Sequence, residues 1–114
     1  MARLSPPKRL KKRADFLRLA SRGRKIAKPG FVMQALRETE APELRLGFTA
    51  TKKIGNAVAR NRAKRRLREA ARLTLAGRDL HGVELVLIAR RETGGVPFAT
   101  LRRNLAKAVD EALA

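Results

Sequence analysis

The chain has 114 residues, of which 44% are hydrophobic, enough for one folded domain with a modest core. Its 28 lysines and arginines outweigh 10 acidic residues, the formal net charge is +18, and cysteine is absent. This composition excludes disulfides and thiolate metal sites, and it favours a polyanionic partner, because so basic a surface repels itself until it is neutralised. No apolar run reaches the roughly 18 residues of a membrane span, and no apolar signal segment follows the basic N-terminus. We therefore expect a cytoplasmic protein without membrane association.

The first predicted elements are a basic arm and a short helix. Residues 1–11 are basic and contain two adjacent prolines, so we expect a flexible arm at the start of a single domain spanning 1–114. A helix is predicted over about Lys12–Ser21, and Gly23 is a suitable stop. Two apolar sides are possible for this helix: Phe16 with Leu19, or Ala14 with Leu17 and Ala20.

Two strands are predicted next, as an antiparallel hairpin. "GFVMQALRE", residues 30–38, is bounded by a glycine and by the turn-rich "TEAPE", residues 39–43. "LRLGFTAT", residues 44–51, alternates between two faces. One face holds Leu44, Leu46, Phe48 and Ala50, and the other holds Arg45, Gly47, Thr49 and Thr51.

The segment "GNAVARNRAKRRLREAAR", residues 55–72, predicts a helix with two unlike faces. Gly55 permits a turn, Asn56 is a suitable N-cap, and nothing breaks the helix before about Ala76. At about 100° per residue, one narrow arc holds mostly small residues: Ala59, Ala63, Leu67, Ala70 and Thr74. The opposite arc holds Asn61, Lys64, Arg65, Arg68 and Arg72, with Arg60, Arg62 and Arg66 at its margins.

This concentration of positive charge is costly for an isolated helix. Like charges one turn apart destabilise it by roughly 0.2–0.5 kcal/mol per pair. A basic helix face is often merely solvated, but Glu69 is the only acidic residue between Lys52 and Arg78. Membrane-surface binding would require bulky apolar residues where this helix has mostly alanine. The pattern favours phosphate binding, which relieves the repulsion and releases counterions.

The C-terminal part predicts a buried strand and a final helix. "VELVLIAR", residues 83–90, is too continuously apolar for an edge strand. "PFATLRRNLAKAVDEAL", residues 97–113, has apolar residues at helical spacing, and Pro97 suits a first turn. The order helix, strand, strand, helix, strand, helix indicates an α+β fold, a small sandwich of helices against a central sheet.

The stretch "KKIGNAVARNRAKRRLREAAR" resembles the RNR signature of the bacterial ribonuclease P protein subunit. The upstream "RLKKRADFLRLASRGRKIAKPGFVMQAL" and "LRLGFTATKK" also fit that family, so the resemblance covers at least residues 9–91. A single Arg-Asn-Arg would mean little, but the ordered run from strand through Lys-Lys and Gly-Asn to this helix is specific. The resemblance also implies a left-handed βαβ crossover, against the usual right-handed rule.

The resemblance implies a function in tRNA maturation. The family's protein pairs with a catalytic ribonuclease P RNA, and the holoenzyme removes the 5′ leader from precursor tRNA. Catalysis belongs to the RNA subunit and its Mg²⁺, so neither catalytic nor metal-binding residues are expected in this chain. No cofactor of the chain itself and no obligate protein partner are expected. The protein is expected to bind the catalytic RNA and the leader of precursor tRNA.

Two surfaces are implied by matching this sequence to the family. The RNR helix and the lysines before it are expected to contact RNA through Lys52, Lys53, Arg60, Asn61, Arg62, Lys64, Arg65 and Arg68. Arginine suits planar, bidentate contacts to phosphate. Asn61 is short and neutral, so it could bond sugar or backbone at close range, or instead cap the helix locally.

The second implied surface is a cleft between the N-terminal helix and the sheet, which in the family holds the single-stranded leader. The matching residues are Phe16, Val32, Gln34, Thr49 and Thr51. Aromatic residues in such grooves stack on bases, but Ala20 and Gln34 occupy positions that are often aromatic in the family. Leader binding is therefore expected to depend more on charge, and Phe16 could alternatively belong to the core.

Other functions remain open from the residues alone. Composition by itself favours a ribosomal or ribosome-associated RNA-binding protein. A DNA-binding architectural protein is less favoured, because no helix-turn-helix is recognisable. An autonomous nuclease would need converging acid, base or metal-ligating groups. The carboxylates are dispersed, and the single histidine, His81, is predicted to lie in a surface turn.

Overall fold

The computed structural model describes residues 8–37 and 43–114. Within those ranges the chain forms five strands, three α-helices and two short 3₁₀ helices. The strands are β1 (Lys8–Arg9), β2 (Arg24–Lys28), β3 (Phe31–Leu36), β4 (Arg45–Ala50) and β5 (Glu84–Ala89). The α-helices are α1 (Arg13–Arg22), α2 (Ala57–Leu75) and α3 (Phe98–Leu113). The 3₁₀ helices are Lys52–Ile54 and Arg91–Gly94.

All five strands form one mixed sheet in the order β1-β4-β5-β3-β2. β5 lies at its centre, parallel to β4 and antiparallel to β3. The position matches the prediction for residues 83–90, because a central strand that is buried at almost every position must be largely apolar. The α+β class is confirmed, and β4, α2 and β5 form a βαβ unit. The handedness of that crossover stays a prediction.

The predicted hairpin between residues 30–38 and 44–51 is wrong. β5 separates these strands, since Leu85 is in register with Ala35 of β3 and with Leu46 of β4. β3 instead forms a hairpin with β2, turning at Gly30, whose φ is 104°. The sequence "RKIAK" of β2 was missed because its charges conceal a strand, yet charge is common on the edge strand that it forms. Residues 39–42 of the predicted turn lie outside the described residues.

Helices cover the two faces of the sheet to different extents. One face packs against α2 and α3 and contains the main core, which includes Phe31, Met33, Leu46, Phe48, Leu85 and Leu87. The alternation predicted for residues 44–51 is confirmed, because Leu44, Leu46 and Phe48 belong to this core. The opposite face carries α1 over a smaller buried cluster of Leu10, Leu19, Leu36 and Val86.

Helix α1 covers only part of that second face. Its ten residues span about 15 Å, and it ends at Gly23, whose N–H donates to the Leu19 carbonyl at 2.9 Å. Of the two apolar sides considered, Phe16 and Leu19 face the sheet, while Ala14, Leu17 and Ala20 are exposed. The rest of the face is left open.

The end of the predicted arm belongs to the fold. Strand β1 runs parallel to β4, with the Lys8 N–H donating to Leu44 O at 2.8 Å and the Leu10 N–H donating to Leu46 O at 2.7 Å. Leu10 is only 4% exposed. Residues 8–10 are therefore not a free arm, and residues 1–7 lie outside the described residues.

Helix α2 begins as its sequence predicts, and a substitution tests this. The Asn56 side-chain oxygen accepts from the Ala59 N–H at 2.9 Å. Asn56→Ala should lower the free energy of unfolding by about 1 kcal/mol, because an N-terminal donor loses its partner. Urea denaturation measures the change. Asn61→Ala, on the exposed side of the same helix, is the control and should stay within about 0.5 kcal/mol of the parent; equal effects would contradict the cap.

Candidate nucleic-acid interface

Helix α2 separates apolar and cationic residues as its sequence predicts. Its buried residues are Ala63, Leu67, Ala70, Ala71 and Leu75. Because these are mostly small, the helix lies close against the sheet. The opposite side and its margins carry the six residues that we call the RNR face: Arg60, Asn61, Arg62, Lys64, Arg65 and Arg68. Asn61, Arg62, Arg65 and Arg68 are exposed, and Arg60 and Lys64 are half-buried.

Some of the helix's arginines are already engaged by the protein. Arg60 Nη1 donates to the Gly55 carbonyl at 2.6 Å. Arg66 donates to the carbonyls of Gly94 and Val96, and its guanidinium lies 5.9 Å from the centroid of the Phe98 ring. Arg66 therefore joins α2 to the segment before α3 and is a packing residue.

The remaining charges on the helix differ in whether they are paired. Arg72 Nε donates to Glu69 Oε2 at 3.1 Å, and this hydrogen bond lowers the pKa of Glu69. By contrast, four cations of the RNR face form no hydrogen bond or ion pair with any described residue: Arg62, Lys64, Arg65 and Arg68. The amide of Asn61 is likewise without a described partner, and Asn56 rather than Asn61 caps the helix. These groups are free to bind an anion.

The chain turns sharply just before α2. The 3₁₀ helix Lys52–Ile54 ends at Gly55, whose φ of 139° is accessible chiefly to glycine. This turn places the exposed Lys52 and Lys53 beside the N-terminus of α2. The unpaired N–H groups and the helix dipole there add to the positive potential of the lysines.

The open part of the second sheet face is a cleft of about 910 Å³. Its floor consists of Ala27 on β2, Val32 on β3, Ile88 on β5 and Thr51 after β4. Ala27, Val32 and Ile88 are consecutive partners across the sheet, so they form a flat aliphatic surface. The rim is strongly basic, with five cations and one acid: Lys25, Lys52, Lys53, Arg90, Arg91 and Glu92.

The structure brings together only part of the predicted cleft set. Val32 and Thr51 line the cleft, and Thr49 is in register with Ile88 on the same face. Gln34 shares this face but is 7% exposed, so its side chain is not open to a ligand. Phe16 does not line the cleft and lies nearer the covered end of the face.

Phe16 lies directly over a glycine. A Cβ added to Gly47 would come within 2.8 Å of Phe16 Cε1, so the ring requires the absence of a side chain at this position. The half-buried ring packs with the small cluster beneath α1. The structure therefore supports the alternative in which Phe16 contributes to packing, with its ring closing one end of the open face.

Three cleft cations were missed from the sequence. Lys25 belongs to the unpredicted edge strand, and Arg90 and Arg91 follow the buried β5 directly. Two adjacent arginines directly after a buried strand were the sequence feature that could have indicated a cationic site at this end of the sheet. Arg90 and Arg91 lie near Lys52 and Lys53 because β5 pairs with β4. The predicted hairpin had placed β3 beside β4 instead.

A buried carboxylate connects three elements at the covered end of the same face. Glu84 of β5 is 2% exposed, and its Oε2 accepts from Arg18 Nη2 of α1 at 2.6 Å and from Arg45 Nη1 of β4 at 3.2 Å. Arg18 also donates to Asp15 at 3.0 Å. The hydrogen bond that Arg18 donates to Glu84 is the main cause of the raised pKa of Arg18. This ion cluster holds α1 against the sheet.

Within residues 8–37 and 43–114, no three histidine or carboxylate side chains come together as potential metal ligands. His81 lies in an exposed turn, as predicted, with Nδ1 at 2.9 Å from Asp79 Oδ1. This contact lowers the pKa of Asp79. In the same ranges, no helix is both long and apolar enough to cross a bilayer.

Comparison with known proteins identifies the family. The family model for ribonuclease P matches residues 4–113. The chain belongs to the ribonuclease P protein family. It is 57% identical over 104 residues to the ribonuclease P protein component of Gluconacetobacter diazotrophicus, covering 88% of this chain and 90% of that relative. With the component of Paramagnetospirillum magneticum the identity is 47% over 105 residues, covering 89% and 79% respectively.

Solved structures of ribonuclease P proteins share the fold. The Staphylococcus aureus protein superimposes with a TM-score of 0.75 at 31% identity, covering 91% of this chain and 94% of that one. The Thermotoga maritima protein gives a TM-score of 0.74 at 30% identity, covering 91% and 96%. These findings confirm the family resemblance of the RNR segment. As a protein component of ribonuclease P, the chain functions in a tRNA-processing endoribonuclease.

The Glu84 cluster gives a stability prediction for this ribonuclease P protein. Glu84→Gln should lower the free energy of unfolding by about 2 kcal/mol, because two guanidinium groups lose their shared anionic acceptor. The loss is moderate, since the Arg18 and Arg45 side chains are 32% and 36% exposed and can reach water. Thermal and urea unfolding measure it.

Glu111→Gln is the matched control for this prediction. It removes the same charge from a pair with Lys28, where the Glu111 side chain is 50% exposed, so the loss should be under about 1 kcal/mol. Equal losses in the two variants would show that the buried cluster has no special role.

Proposed function

We propose that this ribonuclease P protein binds the catalytic RNA through the RNR face and the 5′ leader of precursor tRNA in the cleft. The proposal rests chiefly on one observation: Lys52 and Lys53 lie both on the cleft rim and beside the N-terminus of α2. The two basic surfaces are therefore continuous around the turn at Gly55. A single RNA assembly could follow them without crossing an acidic region.

The RNR face has the properties expected of a surface that binds folded RNA. Its arginines present planar groups with several donors, suited to phosphate oxygens. Because Arg62, Lys64, Arg65 and Arg68 lack described ion-pair partners, an approaching phosphate does not have to displace a carboxylate. Binding would relieve repulsion along α2 and release counterions from the RNA. Asn61, uncharged and exposed, would contribute a short hydrogen bond to sugar or phosphate.

The cleft suits a single strand rather than a duplex. Its aliphatic floor can contact unstacked bases, while the cations of the rim lie where a backbone would run. Among the described residues no aromatic side chain lines it, so base stacking would contribute little. We infer that leader binding depends mainly on charge and tolerates different leader sequences.

We assign the hydrolytic step to the RNA subunit and its Mg²⁺, in line with the family resemblance. This chain would hold the leader and the catalytic RNA in one arrangement, and its cations would offset the repulsion between two polyanions. That role predicts a smaller demand for Mg²⁺ when the protein is present, because part of the charge neutralisation is then supplied by the chain.

The first test is reconstitution. The chain alone should leave precursor tRNA intact, whereas the chain with its RNA subunit should produce the mature 5′ end at a Mg²⁺ concentration at which the RNA alone is slow. Gel analysis of end-labelled precursor tRNA measures the cleavage site and rate. Site-specific cleavage by RNA-free protein, or no effect of the protein on the RNA, would contradict the proposal.

The second test separates the cleft from the RNR face. Lys25→Gln should weaken binding of leader-bearing precursor tRNA to the holoenzyme about two- to fivefold, as expected for one exposed charge contact. The slope of the logarithm of the binding constant against the logarithm of salt concentration should become shallower by about 0.7, the value for one contact to a single-strand phosphate. Leaderless tRNA and the catalytic RNA should bind as before.

Lys107→Gln is the control for this test, because Lys107 is equally cationic and is exposed on α3, away from the cleft. It should change none of these affinities. If Lys25→Gln weakens leader-bearing and leaderless substrates equally, the leader does not occupy this cleft.

A further inference from the structure

The 3₁₀ helix Arg91–Gly94 carries part of the cleft rim and is held from two sides. Arg90, Arg91 and Glu92 line the cleft directly after the buried β5. Arg91 is exposed, and its guanidinium forms no hydrogen bond or ion pair with a described residue. Its charge is therefore positioned only through its backbone, so the contacts that fix this segment bear on binding in the cleft.

Thr93 attaches the segment to the sheet. Its side chain is fully buried, and its hydroxyl donates to the Gly30 carbonyl at 2.5 Å and accepts from the Arg90 N–H at 2.7 Å. The Thr93 N–H in turn donates to the Arg90 carbonyl at 3.1 Å. Because Gly30 forms the turn between β2 and β3, one hydroxyl links the start of the rim segment to that hairpin.

Arg66 attaches the other end of the segment to helix α2. Its Nη1 donates to the Gly94 carbonyl at 3.5 Å and its Nη2 donates to the Val96 carbonyl. Its guanidinium also lies 5.9 Å from the centroid of the Phe98 ring. Arg66 does not line the cleft, and its Nε is buried. The donors of this arginine are therefore directed at the protein backbone rather than at a ligand.

We propose that Arg66 is a positioning residue for the leader: it holds residues 90–96 against α2 and so fixes the charges of Arg90 and Arg91 at the cleft rim. This inference rests on the proposed binding of the leader in the cleft. A rim that is ordered before binding has less conformational freedom to lose when a phosphate arrives. Because α2 also carries the RNR face, Arg66 sets the position of the rim relative to the surface for the catalytic RNA.

A second arginine serves as a matched control for a merely structural role. Arg102 of α3 donates to the Leu73 carbonyl and to Thr74 Oγ1, each at 3.3 Å, so it also links α2 to another element. It does not line the cleft. Arg66→Met and Arg102→Met should therefore both lower the melting temperature, whereas only Arg66→Met should affect the leader.

The test measures binding of precursor tRNA, with and without a leader, to the holoenzyme at fixed salt. Arg66→Met should weaken leader-bearing substrate about two- to fivefold and leave the affinities for leaderless tRNA and for the catalytic RNA unchanged. Arg66→Lys retains donors that can reach a carbonyl and should lose less. Arg102→Met should change none of these affinities. Melting curves check folding, and Arg66→Lys replaces Arg66→Met if the latter does not fold.

Double-mutant cycles test whether Arg66 acts through the rim. Arg91→Gln alone should weaken leader binding. Arg66→Met should then cost less in the Arg91→Gln background than in the parent, because one of the charges that it positions is already gone. Combined with Lys25→Gln, a rim cation on β2 that Arg66 does not hold, its loss should be additive. Additive losses for Arg66 and Arg91, or equally strong coupling of Arg66 to Lys25, would overturn the inference.

Lys25→Gln distinguishes failure of this inference from failure of the proposed function. If Lys25→Gln weakens leader binding and a folded Arg66→Met variant does not, only the positioning role is wrong. If neither affects leader-bearing substrate, the leader does not occupy the cleft. Equal losses of Arg66→Met on leader-bearing and leaderless substrates, or an Arg66→Lys variant no better than Arg66→Met, would also contradict a positioning role.

Discussion

The burial of β5 at the centre of the sheet is the constraint on which the rest of the structure depends. This strand is apolar at almost every position, and it lies at the centre of the sheet between β3 and β4. Its central position separates β3 from β4 and requires α2 to cross from one parallel strand to the next. The crossover in turn directs the cationic side of α2 outward and its small residues toward the core.

The second face of the sheet is divided into two electrically different regions. At the end covered by α1, three acids form ion pairs with cations: Asp15 and Glu84 with Arg18, Glu84 also with Arg45, and Glu43 with Lys8. At the open end, five cations face one acid. The excess of cations at the open end, beside α2, favours binding of a polyanion there.

Much of the fold followed from local sequence patterns. The cap at Asn56, the turn at Gly55, the buried β5 and the small-residue side of α2 each depend on neighbouring residues, and each was predictable. Strand order was not, because pairing joins residues distant in the chain, and "TEAPE" resembled a hairpin turn. Strand β2 was concealed by its charges.

The candidate site likewise has one part that local sequence predicts and another that forms only in the folded sheet. The RNR face could be predicted because one helix carries it, whereas the cations at Lys25, Arg90 and Arg91 come together only in the folded sheet. Glu84 was also beyond sequence reasoning, since an acid at the start of an apolar strand gives no indication of its two arginine partners. Strand parity correctly assigned Gln34 to the cleft face, but parity cannot indicate that the residue is buried.

The central claim is that two basic surfaces contact two different RNAs, and the absence of cysteine allows a direct measurement. Ala27→Cys on the cleft floor and Arg65→Cys on the RNR face can each carry a single photo-crosslinker, with Lys107→Cys on α3 as the control. In holoenzyme with precursor tRNA, the probe at position 27 should crosslink to leader nucleotides and the probe at position 65 to the catalytic RNA, with neither product from position 107. Crosslinking of positions 27 and 65 to the same RNA segment, or exchange of the two targets, would contradict this assignment.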